Sequence, residues 1–191
     1  IEDNNVLITM IDILWVAILI MKIIKDKDFL KDKHKDFISE FILKADFPYF
    51  IQPHSTFDDD YTMMEHICLR RYDKDWNTGN VDMYKDILNT FCNKHDIRYK
   101  EILRCSVNLT FNVGIKKSLE HTDHKEPHKQ LLIYCNDVKD KKSYTVILDK
   151  NRKPIDKIKP IQYSAVSFGD NHHYHYYPRI GHRVVLVYTF K

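Results

Sequence analysis

The sequence predicts an α+β fold, mainly β, with two helices packed on one side of a β-sandwich or barrel. Three observations predict it. Two segments of the first half place apolar residues at helical spacing; from about residue 99 apolar residues fall instead into short β-rich runs; and turn-like stretches, 136–142 and Pro178-Arg-Ile-Gly181, separate those runs. Helices followed by a series of strands is the order expected when helices cover one face of an antiparallel β structure.

The elements follow in order. The apolar stretch 6–24 approaches membrane-span length, but Asp12 and Lys22 interrupt it and the unbroken run 13–21 is too short to cross a bilayer. A buried strand or helix is expected there, ahead of a membrane anchor. The acidic start without a small-residue cleavage site argues against a secretory signal. Residues 28–45 place Phe37, Ile38, Phe41 and Ile42 on one helical face. Residues 73–79 read as a polar loop. A second helix is expected over 80–94, with the stripe Val81, Tyr84, Ile87, Leu88, Phe91 and Asn80 as N-cap. Strands are then expected at 102–113, 130–136, 143–148, 163–168, 173–177 and 183–190. The upstream aromatics Tyr49, Phe50, Phe57, Tyr61, Tyr72 and Trp76 are expected in the core, with a lid over a cavity as the alternative.

A chain of 191 residues is expected to form one domain, with 1–98 as a helical and strand support region and 99–191 as the β core. A net charge of only +3 leaves no case from charge for a nucleic-acid surface. The four cysteines, Cys68, Cys92, Cys105 and Cys135, contain no C-x-x-C pair or zinc-knuckle spacing. Reduced core thiols in a cytoplasmic protein are expected.

Function is most legible in the last third. Along a strand, residues two apart point to the same side, so His121 and Asp123 aim an imidazole and a carboxylate at one point. A third ligand from the cluster 172–175 would complete a two-His, one-carboxylate triad, the donor set that suits Fe(II) with open positions. By itself an H-x-D means little, since 11 histidines produce roughly one such triplet by chance. Indeed His34-Lys-Asp36 is another, and its lysine-rich helical setting reads as a solvated face. Context separates the two: His121-Thr-Asp123 lies between β-rich runs, with further histidines and the Arg-led strand 183–190 downstream. On that last strand Arg183, Val185, Val187 and Thr189 share one side, and Val184, Leu186, Tyr188 and Phe190 the other. Both sides are largely apolar, so a buried Arg183 calls for an anion.

These residues resemble the Fe(II)/2-oxoglutarate-dependent oxygenases, and within them small prolyl-hydroxylase-like members of phage and marine bacterial type. The likeness rests on Arg104-Cys-Ser-Val-Asn108-Leu109, His121-Thr-Asp123, Pro127-His128, Tyr134-Cys-Asn136, Val166-Ser-Phe168, the cluster 172–175, Arg183 and the upstream Phe47-Pro-Tyr-Phe50. It spans roughly residues 45–190. The resemblance implies a double-stranded β-helix (jelly-roll) core, with His121 and Asp123 as iron ligands. It favours His173 as the third ligand by spacing to Arg183, with His175 as the alternative. It further implies that Arg183 binds the distal carboxylate of the cosubstrate 2-oxoglutarate, with Tyr134 and Asn108 assisting, and that O2 and ascorbate are co-reactants. His124 and His128 would orient the site or contact substrate, and His172 and His182 would lie at the surface or behind the ligands. The chain departs from the family at 141–145, where Lys-Lys-Ser-Tyr-Thr lacks the usual glycines, and at Gly169-Asp170, which inverts an expected Asp-Gly. Both departures bear on substrate choice.

Two other classes compete. A non-catalytic cupin-like jelly roll would leave Arg183 in solvent or no cavity beside His121 and Asp123. A metal-dependent hydrolase or isomerase would need a general base, for which Glu120 and Glu126 are the nearest carboxylates. The substrate of an oxygenase is not legible here: peptidyl proline follows from the resemblance, and a nucleobase or small metabolite stays open. A phage or viral gene is the expected source.

Overall fold

The structure, a computed structural model, describes residues 23–56 and 59–191. The strand, helix or anchor expected of residues 6–24 therefore lies, up to Lys22, outside the described residues, as does Phe57. Among the described residues no helix is long and apolar enough to cross a membrane.

The described chain is mainly β, with two helical segments and two antiparallel sheets. Its strands are β1 (Ile24–Asp26), β2 (Phe50–Gln52), β3 (Met63–Leu69), β4 (Ile102–Phe111), β5 (Lys129–Tyr134), β6 (Thr145–Leu148), β7 (Pro154–Ile158), β8 (Ala165–Phe168), β9 (His173–His175) and β10 (His182–Phe190). The large sheet runs β1-β8-β5-β10-β4-β3-β2 and the small one β7-β6-β9, with every pairing antiparallel. Helix α1 (Asp32–Phe37) runs directly into a π-helical turn over Ile38–Ile42, and α2 spans Val81–Lys94.

Strand alternation sorts the large sheet into two buried faces. On β10, Val184, Leu186, Tyr188 and Phe190 join one apolar cluster with Ile38 and Ile42 of the π turn and Tyr84, Ile87, Leu88 and Phe91 of α2. The Tyr188 hydroxyl donates to the Tyr84 carbonyl at 2.9 Å, tying sheet to helix. Val185 and Val187, on the other side, pack with Leu132, Val166, Phe168 and Ile147 of the small sheet's β6. The space between the sheets holds the candidate site.

All six expected strands are present, four of them shorter than expected, β5 shifted to 129–134 and β10 one residue longer at its start, and α2 starts one residue after Asn80, whose side chain makes no capping hydrogen bond. The helix expected over 28–45 is shorter, because Phe29 and Leu30 are buried ahead of it as irregular chain. Strands β3 and β7 have no counterpart in the sequence reading. In β3, Glu65 and His66 are both buried on opposite faces, so polarity gives no alternation. In β7, which opens on Pro154, only Ile158 is buried, as expected of an edge strand. His34 departs from its expected solvated setting: it is fully buried against Asp86 of α2, Nε2 to Oδ2 at 2.8 Å. All four cysteines are buried free thiols.

Candidate metal centre

His121 lies in the segment before β5, and His173 opens β9. Their backbones bridge reciprocally, His121 N–H to His173 carbonyl at 3.0 Å and the reverse at 2.9 Å. That bridge brings the two rings to 4.4 Å between centroids. Each ring then has its tautomer set by a backbone carbonyl. His121 Nδ1 donates to Leu119 at 3.0 Å and His173 Nδ1 to Asn171 at 3.2 Å, which leaves both Nε2 lone pairs available. Burial, reinforced by His121, pushes the His173 imidazole down to about 3, so it is neutral.

Asp123 follows two residues after His121 and is buried, as His173 is, while His121 is only partly so. Its Oδ1 accepts from Arg104 at 3.0 Å, while Oδ2 lies 3.7 Å from His173 Nε2. Burial by itself would raise this carboxyl, but Arg104, the two imidazoles and Arg71 outweigh it and hold it well below the usual carboxylate range. Arg71 also donates to the Asp123 carbonyl at 2.8 Å. One nitrogen or oxygen each from His121, Asp123 and His173 falls within 4.8 Å of the others, close enough for a shared metal ion. Two imidazoles with their Nε2 atoms available and one carboxylate, with the second carboxylate oxygen held by Arg104, form a donor set that fits Fe(II). His175 stands outside this group. It is two residues further along β9, opposite Thr145 rather than His121.

Arg104 continues the network. Its other amino group makes a short ion pair with Glu65 of β3, so one guanidinium bridges two carboxylates. Sequence reasoning placed Arg104 only as a motif residue and missed Glu65. A charged residue in mid-strand on the same face as Ser106 and Asn108 was the signal available for Arg104; nothing local marked Glu65.

From the triad a narrow cavity of about 80 Å³ extends between the sheets to Arg183, past Val185, Val187 and Leu132. Arg183 is 4% exposed. The loop before it turns at Gly181, whose φ of 71° favours glycine. Asn136 then clips the strand start: its amide donates to the His182 carbonyl at 3.0 Å and its oxygen accepts from the Val184 N–H at 2.8 Å. Arg183 donates to Thr145 Oγ1 at 3.0 Å and lies 5.5 Å from the centre of the Tyr134 ring. The Tyr134 hydroxyl donates to the same Thr145 oxygen at 2.9 Å. Among the described residues no carboxylate pairs with Arg183, and its Nε is buried without a partner. Asn108 also lines this cavity, with its Oδ1 accepting from Ser106 at 2.9 Å.

The other histidines lie apart. His124 bonds Thr189 at 2.7 Å and stacks edge-on against His128, beside the Arg104 end of the sheet. His182 is exposed, as are the side chain of Glu126 and, in part, that of Glu120, which faces Lys117 and Arg152. A wider groove of about 550 Å³ opens over His121 and Asp123 toward Gln52, Arg70, Arg71 and Tyr72. Of the upstream aromatics, Tyr49 and Trp76 pack on the core, while Phe50 and Tyr72 are exposed, which corrects the core expectation for those two.

No protein-family model and no curated protein sequence matches the chain. Solved structures do. A 2OG-Fe(II) oxygenase family oxidoreductase from Burkholderia pseudomallei aligns with a TM-score of 0.68 at 16% identity, over 88% of this chain and 84% of that one. A viral collagen prolyl hydroxylase from Paramecium Bursaria Chlorella virus-1 aligns at 0.56 and 14%, over 88% and 94%. A non-heme alpha-ketoglutarate-dependent epimerase of nogalamycin biosynthesis aligns at 0.62 and 9%, over 90% and 78%. The chain has the fold of the 2-oxoglutarate/Fe(II) oxygenases.

Proposed function

We propose that the chain is a non-haem Fe(II)/2-oxoglutarate-dependent dioxygenase that hydroxylates its substrate, with the two sheets forming a double-stranded β-helix core. His121, Asp123 and His173 hold the iron, and Arg183 binds the distal carboxylate of 2-oxoglutarate. The observation that carries this reading is the pairing of the three-ligand cluster (Asp123 and His173 buried, His121 partly so) with a buried guanidinium that no carboxylate pairs with among the described residues, at the other end of one cavity. A buried arginine is costly without a negative partner, and a dicarboxylate reaching from the metal would supply one. When bound, iron and 2-oxoglutarate together supply oxidative decarboxylation by O2, giving succinate, CO2 and the oxidising power for hydroxylation.

The residues of the chain do the rest. His121, Asp123 and His173 would hold the iron at the end of the cavity, a donor set that leaves positions open for cosubstrate and O2 when the metal is bound. Arg183 with Thr145 and Tyr134 orients the cosubstrate, where a guanidinium grips a carboxylate through paired N–H groups. Val185, Val187 and Leu132 make the wall between them apolar and exclude water. The groove beside His121 and Asp123 admits the primary substrate. Peptidyl proline is the first substrate to test, since one aligned structure is a collagen prolyl hydroxylase. A nucleobase and small metabolites come next, and ascorbate serves as accessory reductant. Four buried free thiols suit a cytoplasmic setting.

Arg183 is buried and a cavity adjoins His121 and Asp123, both contrary to what a non-catalytic jelly roll requires. Neither Glu120 nor Glu126 lines that cavity, and Glu65, which lines the adjoining groove, is held by Arg104, so none of the three favours a hydrolase. The test is anaerobic titration of Fe(II) and 2-oxoglutarate into the protein. A weak visible charge-transfer band should appear in the parent and be lost in His121→Ala. Folded parent protein without the band, indistinguishable from the variant, removes the oxygenase assignment. Succinate release with candidate peptides and nucleobases then narrows the substrate.

A further inference from the structure

Among the described residues, seven buried side-chain polar atoms lack a hydrogen-bond partner. Three of them, Thr110 Oγ1, His175 Nε2 and Arg183 Nε, belong to residues lining the one narrow cavity. They converge from both sheets. Thr110 sits opposite Arg183 in the β4–β10 ladder, and His175 sits opposite Thr145 in the β9–β6 ladder. Thr145 Oγ1 in turn accepts from Arg183 at 3.0 Å, which joins the two sheets at this point. Unsatisfied buried donors are rare in native proteins, and a convergent set asks for an acceptor. A carboxylate accepts about four hydrogen bonds through its two oxygens, more than the roughly two that a bidentate guanidinium supplies.

His175 lies two residues past His173 on the same side of β9, roughly 7 Å further from the metal ligands. That places it at the Arg183 end of the cavity, and it forms no part of the three-ligand cluster. Its ring is held against Tyr177, 4.8 Å between centroids, and its backbone N–H is anchored on Ser118 Oγ at 3.1 Å. The ring thus packs on Tyr177 from an anchored backbone, with Nε2 left without a partner.

We propose that His175 is a positioning and specificity-determining residue, whose Nε2–H, with the Thr110 hydroxyl, donates to the carboxylate that Arg183 binds. This rests on the 2-oxoglutarate assignment above. His175 would then make the cavity discriminate a keto acid carrying a distal carboxylate from one that ends in a methyl group.

The test measures binding of 2-oxoglutarate and of 2-oxopentanoate, which lacks the distal carboxylate, to the Fe(II)-loaded protein without O2. His175→Leu should weaken 2-oxoglutarate by about tenfold to hundredfold, the span of a lost hydrogen bond to a charged group. Fe(II) and 2-oxopentanoate should move by less than about threefold. His175→Gln, whose amide N–H replaces Nε2–H, should recover most of the loss. Thr110→Val should shift the same ratio in the same direction, and serves if the leucine variant does not fold. The proposal is overturned if both variants bind 2-oxoglutarate like the parent, if both keto acids weaken equally, or if Fe(II) is lost with His175. A parent that takes Fe(II) but neither keto acid overturns the oxygenase assignment itself, and this proposal with it.

Discussion

Arg104 bridges Glu65 and Asp123, and its effect falls on both charge and direction. Burial would raise Glu65 as it would Asp123, yet the shared guanidinium lowers both carboxyls below their ordinary values. By holding Asp123 Oδ1 it also leaves Oδ2 as the oxygen beside His173. Arg104→Gln should therefore weaken Fe(II) binding by about 10- to 100-fold, the usual cost of losing a group that orients a ligand. The double variant Glu65→Gln/Arg104→Gln removes the carboxylate that would otherwise be stranded in the core. It should recover stability over Arg104→Gln in urea unfolding without recovering metal affinity, measured by anaerobic titration. If metal affinity returns along with stability, Arg104 acts only on the fold. At this scale His121, Asp123 and Arg183 were legible, because H-x-D spacing and strand alternation are local. Glu65 was not: it reaches Asp123 through Arg104, across 39 positions of sequence from that arginine.

The contact between α1 and α2 depends on His34, which the sequence presents as one lysine-flanked histidine among several. Lys31 N–H donates to His34 Nδ1 at 3.3 Å, so the ring hydrogen sits on Nε2 and points to Asp86, with Lys33 on the same carboxylate. These hydrogen bonds, His34 first and Lys33 next, hold Asp86 at about 2 against an ordinary 3.8. A carboxyl that takes its proton less readily folded than unfolded stabilises the fold fully above its unfolded value. That stabilisation disappears as pH falls through the folded one. Between about pH 4 and pH 2 the parent should thus lose more stability than Asp86→Asn, with the two curves parallel from pH 5 to 7. Urea unfolding across that window is the measurement, and parallel curves throughout would refute it. The helical spacing of Phe37, Ile38, Phe41 and Ile42 foretold an apolar face here. It did not foretell that His34, nearly a turn earlier, also faces inward, since that depends on the acceptor α2 brings to it.

At the scale of the whole molecule, the large sheet keeps stability and chemistry on opposite faces. Leu186 is fully buried among the helix-side residues, whereas Val185 and Val187 on either side of it line the cavity. Leu186→Ala should cost about 2–5 kcal/mol in urea unfolding, as truncations in packed cores do. The protein that remains folded should still bind Fe(II) within about threefold of the parent, since a threefold change is well under 1 kcal/mol. A large loss of metal affinity would show that the two faces are coupled. The sequence by itself determined this division on β10, because side chains alternate with period two and apolar residues occupy both sides. It also determined that His121 and Asp123 stand two apart ahead of a β-rich run, with Arg183 at the head of the last strand. Only the tertiary structure decided which member of the cluster 172–175 stands opposite His121, and that Glu65 and Thr145 face the site. His173 and His175 share one side of a three-residue strand, so local pattern treats them alike. What separates them is antiparallel pairing with segments far away in the chain: His121 for one, Thr145 for the other. Such pairings are set by the packing of two sheets, a property of the folded chain that no short stretch of sequence contains.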